Sequence, residues 1–190
     1  MAKAFFYTLL FCAICGVISC ATKLEPNKAG FEKLQTELVS KYGADAYYTD
    51  LQMTLTAESE VSVLVTETKD PASLKQEQWL RYGGGEWEKQ ADVAFTVEGA
   101  EAQSFMFQLN KEVSLSTMSD LLEKSKLQLE KEKQVKEPIF ISVAISSKHQ
   151  MNSKETGIFY YITLLDATSQ KDYRFVYDLK GNAVSSLDEQ

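Results

Sequence analysis

The spacing of apolar residues changes period along this chain of 190 residues, and that change limits what it can fold into. Phe31, Leu34, Leu38, Val39 and Tyr42 recur at helical spacing, with Glu32, Lys33, Gln35 and Lys41 on the other face and Gly43 as a stop. Met118, Leu121, Leu122, Ser125 and Leu129 do the same within a second helix expected over 116–133. Elsewhere the period is two. Leu51, Met53 and Leu55 alternate with polar residues, as do Val61, Val63 and Val65, then Ile139, Ile141, Val143 and Ile145, then Tyr173, Phe175 and Tyr177. Residues 57–60 suit a short hairpin loop, and 83–85, a run of three glycines, a turn between 77–82 and an arm carrying Trp87. Further strands are expected at Val93, Phe95 and Val97 and at Phe105, Phe107 and Leu109, and 158–165, apolar on nearly both faces, reads as a central strand. The fold class is therefore α+β: two helices on a largely antiparallel sheet.

Each half runs helix, strands, then an aromatic arm entering a glycine turn, with 79–85 matching 173–181 at an offset of about 90–95 residues. The halves 30–112 and 113–190 are open to reading as two α-β-β-β repeats, or as plain alternation within one domain over 30–190. The closing arm Tyr173-Arg174-Phe175-Val176-Tyr177 with the turn Asp178-Leu179-Lys180-Gly181-Asn182 resembles the last hairpin of small exported domains of the PepSY and beta-lactamase-inhibitor-like type.

The three cysteines all lie within the first twenty residues. Lys3 supplies a positive start and 5–17 a charge-free apolar segment, too short to span a bilayer that needs roughly 20 apolar residues. It ends in Val17-Ile18-Ser19-Cys20, which resembles the signal of bacterial lipoproteins. The resemblance implies a signal peptide over 1–19, a lipid on Cys20, and a short tether over 20–29 containing Pro26. It also implies export and attachment to a bacterial membrane, with Ala21 pointing to the outer one, facing the periplasm or the surface. The mature chain then has a single cysteine, so no disulfide forms, and a domain of roughly 165 residues can fold without one.

Loss of Lys3 leaves 19 basic side chains against 27 acidic ones, a balance of −8. Such a surface excludes nucleic acid as a partner, since a phosphate backbone needs clustered Lys and Arg and the stretch 124–136 interleaves them with Glu130 and Glu132. No cofactor is expected. His149 is the one histidine and stands in a polar loop, no Gly-x-Ser-x-Gly turn exists, and no His/Cys set or acidic run has metal-binding spacing.

Binding is the function class left in front. Tyr47, Tyr48, Trp79, Tyr82 and Trp87 gather near strand ends and the glycine turn, where flat rings stack on sugars or anchor an envelope protein. If Trp79 faces the helices, so does Arg81, while Leu80 and Tyr82 face the other way. The alternative is an envelope glycan hydrolase with paired carboxylates, for which Glu67 with Asp70, or Glu86 with Glu88, are examples among many. Hydrolysis requires two acids converging in a pocket with one pKa raised, and such a pair would put it first.

Overall fold

Asn27 starts the first element. Its side chain accepts a hydrogen bond from the backbone N–H of Gly30 at 2.9 Å, capping α1, Lys28–Tyr42, and Gly43 ends the helix at φ 101°. The computed structural model describes residues 23–72, 75–94, 102–147, 157–184 and 188–189. Cys20 with the residues before it, His149, Phe95 and Val97 lie outside them.

A meander of β1, Tyr47–Leu55, β2, Val61–Thr68, β3, Lys75–Tyr82, and β4, Glu88–Ala94, follows α1. The second half repeats the order with α2, Leu115–Lys133, then β5, Ile139–Ser146, β6, Phe159–Asp166, β7, Lys171–Tyr177, and the two-residue β8, Asp188–Glu189. All pairings are antiparallel, in the order β4-β3-β2-β1-β5-β6-β7-β8. The two halves thus meet at β1 and β5, and each runs outward from that seam.

Both helices lie on one face, and register explains why that face is dry. One row across the sheet reads Phe175, Ile162, Val143, Met53, Val63, and the next Tyr177, Tyr160, Ile145, Leu51, Val65. These side chains are buried with Phe31, Leu34 and Leu38 of α1 and Met118, Leu122 and Leu129 of α2 in one core. Ser125 ties α2 to the sheet, donating to the Leu121 carbonyl at 2.8 Å and accepting from the Tyr177 hydroxyl at 2.9 Å. The opposite face carries Ser62 beside Tyr82, Leu64 beside Leu80, and Ser142 beside Thr163, half-buried or exposed.

Two expectations differ from what forms. Residues 105–109 are no strand: a 3-10 turn, Ala102–Phe105, leads into single bridges, Phe107 with Tyr48 and Leu109 with Val113. Alternation was present, but β5 occupies that side of β1 from Asp50 onward, so Phe107 pairs with Tyr48 alone. The segment expected as a loose tether over 20–29 is also partly folded. Leu24 is 1% exposed and belongs to the core.

Candidate functional site

At one corner the apolar rows give out. The row ending in Leu51 and Val65 continues to Trp79 on β3 and Lys89 on β4, and the row beyond it is Tyr48, Glu67, Glu77, Asp92. Cross-strand partners share a face, so these groups point to the helix side. The helix, however, stops at Tyr42. A cleft of about 830 Å³ opens there, between the end of α1 and β2, β3 and β4.

Tyr42 is the hub of its inner wall. Its ring lies 6.3 Å from Tyr48, 6.0 Å from Trp79 and 6.1 Å from Trp87, and Tyr48 stacks on Phe107 at 5.8 Å. The Lys41 ammonium sits 4.3 Å from the centre of the Trp79 ring and 5.3 Å from that of Tyr42, within cation–π range. Behind this wall Arg81, buried beside Val63, forms an ion pair with Glu37 of α1, which also accepts from the Trp87 indole at 2.6 Å.

Glu67 is the unusual member. It is 4% exposed, and burial pushes its carboxyl up from the ordinary carboxylate range, reinforced by the charge of Glu77 across the strand pair. The charges of Lys69 and Lys41 offset part of that rise. Burial, with Glu67 next, likewise raises the Tyr42 and Tyr48 hydroxyls, so both stay protonated. Glu77 is half-exposed and bonded by Lys89 at 2.7 Å, which also holds Asp92 at 2.7 Å.

Several polar atoms here have no hydrogen-bond partner among the described residues: Glu67 Oε2, the Tyr42 hydroxyl, Gln76 Nε2 and Trp79 Nε1. Gln76 accepts at its other end from Thr49 at 2.7 Å. A buried unpaired donor or acceptor costs about 1–3 kcal/mol. Gathered at one cleft, these atoms mark where hydrogen-bonding capacity is held in reserve.

The aromatic residues singled out by sequence do not form one patch. Tyr48 is core. Trp79 and Trp87 are partly buried around Tyr42, on the helix side. Tyr82, 59% exposed, stands on the opposite face, and Tyr47 accepts from Gln103 at 3.2 Å. Lys41, Tyr42, Gln76 and Glu77 were not singled out. Glu67 was, but beside Asp70, its neighbour along the chain, whereas its carboxylate partner lies across the sheet. Among the described residues no group of three or more His, Cys, Asp or Glu is placed to hold a metal, and no helix is long and apolar enough to cross a membrane.

No protein-family model and no curated protein matches this sequence. Among solved structures, the fold is similar to that of a putative lipoprotein from Clostridium difficile 630, with a TM-score of 0.51 at 13% identity, covering 84% of this chain and 92% of that one. At such identity the likeness is one of fold.

Proposed function

We propose that the protein is an exported lipoprotein, anchored through lipid on Cys20, whose cleft binds a saccharide of the cell envelope. The observation that carries the binding reading is the set of unpartnered polar atoms on Tyr42, Glu67, Gln76 and Trp79 around an aromatic wall. Sugar hydroxyls donate and accept at once, so they match a mixture of indole, phenol, amide and carboxyl better than a simple ion would. Lys41 lies over the Trp79 ring and is the movable cover that a ligand displaces. The lipid anchor is supported by the Val17-Ile18-Ser19-Cys20 signal and by the fold shared with a protein described as a lipoprotein.

Calorimetry with soluble peptidoglycan fragments tests the ligand. Trp79→Ala and Glu67→Gln should each weaken binding at least tenfold, and Lys41→Ala should leave it unchanged or tighter. No heat for native protein at millimolar fragment would reject the saccharide, and photocrosslinking in intact cells would then seek a protein partner. The anchor is tested apart from this: Cys20→Ala should abolish incorporation of labelled palmitate.

Glu67 and Glu77 give the hydrolase reading a specific pair, with one acid buried and its pKa raised. It remains second for a geometric reason. Both carboxylates stand on one sheet face, side by side, whereas acid and base must approach the anomeric centre from different directions. Glu77 is moreover already bonded by Lys89. Time-dependent release of reducing ends by native protein, absent in Glu67→Gln, would reverse this order.

A further inference from the structure

The lipid anchor, if Cys20 carries it as proposed above, does more than tie the protein to a membrane. Leu24 is fully buried in the core, and the segment after it is pinned: Asn27 donates from its backbone to the Glu25 carbonyl at 2.9 Å and from its side chain to the Glu25 carboxylate at 2.7 Å. Gly30 permits this fold-back, because a Cβ there would lie 1.9 Å from the Glu25 carbonyl oxygen. Only residues 21–23 therefore separate the lipidated cysteine from the folded body. Whatever their conformation, the four steps from Cys20 to Leu24 reach no more than about 14 Å.

We infer that the surface around Leu24, with exposed Lys23, Glu25 and Lys28, is held against phospholipid headgroups, and that the cleft opens away from the bilayer. The surface charge there is mixed, so the length of chain, not electrostatic attraction, enforces the contact. Lys41 and Tyr42, which wall the cleft, stand at the other end of α1. A helix of 15 residues is about 22 Å long, so the cleft is set back from the anchored end by more than the tether can reach. The ligand it takes is one presented from the envelope space and not a lipid of the same membrane.

The thiol of Cys20 is blocked in the lipidated protein, so a cysteine introduced at Lys28 or at Lys69 accepts a fluorophore uniquely. Each labelled protein is bound to phosphatidylethanolamine/phosphatidylglycerol vesicles carrying nitroxide on a tenth of their headgroups. Quenching at position 28 should exceed that at position 69 at least threefold. A flexible insert of twelve Gly and Ser residues between Thr22 and Lys23 should lower quenching at position 28 at least twofold. Equal quenching at both positions, or no effect of the insert, overturns the inference while leaving the anchor intact. A mature chain without lipid by mass spectrometry, which fails to float with vesicles, overturns anchor and inference together.

Discussion

Glu67 bears the main electrostatic cost at the cleft, and its titration exposes that cost. An ordinary glutamate titrates near 4.3 in the unfolded chain, whereas burial and Glu77 raise it in the native state. Within the window between the two values the native protein holds the proton more often than the unfolded chain does. Stability is therefore greatest below the window and falls as pH rises through it. Glu67→Gln keeps the shape and removes the titration, so its melting temperature should lie above that of native protein at pH 7.5 and converge with it at pH 4. Thermal melts at both values check this, and a variant that melts lower at pH 7.5 would refute it. Leu24→Ala makes the complementary case, because truncating a buried leucine should cost about 2–5 kcal/mol, which a residue in a loose tether would not. At this scale the sequence pointed to Trp79, Trp87 and Glu67 but not to how they combine. The partners Lys41, Tyr42 and Glu77 join them through strand register and the stopping point of α1, and neither follows from spacing along the chain.

Among the elements, α1 is held at both ends by groups that packing alone would not supply. At its start, Gly30→Ala drives a side chain into the Glu25 backbone, so the segment around Leu24 must lift off. Faster amide exchange over 24–30, with exchange in β5 to β7 unchanged, is the expected result. Near its end, Glu37 compensates Arg81, whose side chain is only 6% exposed. Glu37→Ala leaves that guanidinium buried without a counter-charge and should cost about 3 kcal/mol in urea unfolding. The same variant should shift Trp87 emission to the blue, since the indole N–H loses its charged acceptor. Both helices and the strong hairpins were legible because their periodicity is local. The segment 105–109 was not, since its alternation is that of a strand while a neighbouring strand already occupies the place it would need.

The whole molecule is one sheet folded outward from the seam of β1 and β5, with Met53 between Val63 and Val143 at its centre. Because the core side chains of both halves form one cluster, damage at the seam should not stay on one side. Val143→Asp should lower stability through a single transition in which tryptophan emission, reporting Trp79 and Trp87 of the first half, and amide exchange in β6 and β7, reporting the second, change together. Separate transitions would mean that the halves fold independently. The sequence by itself determined the α+β class, the two helices and most strands, because periodicity is a property of short windows. Only the tertiary structure decided that β1 and β5 meet, that Glu67 faces Glu77, and that Leu24 belongs to the core. Each depends on which distant segments become neighbours, and that is set by burying one shared apolar face.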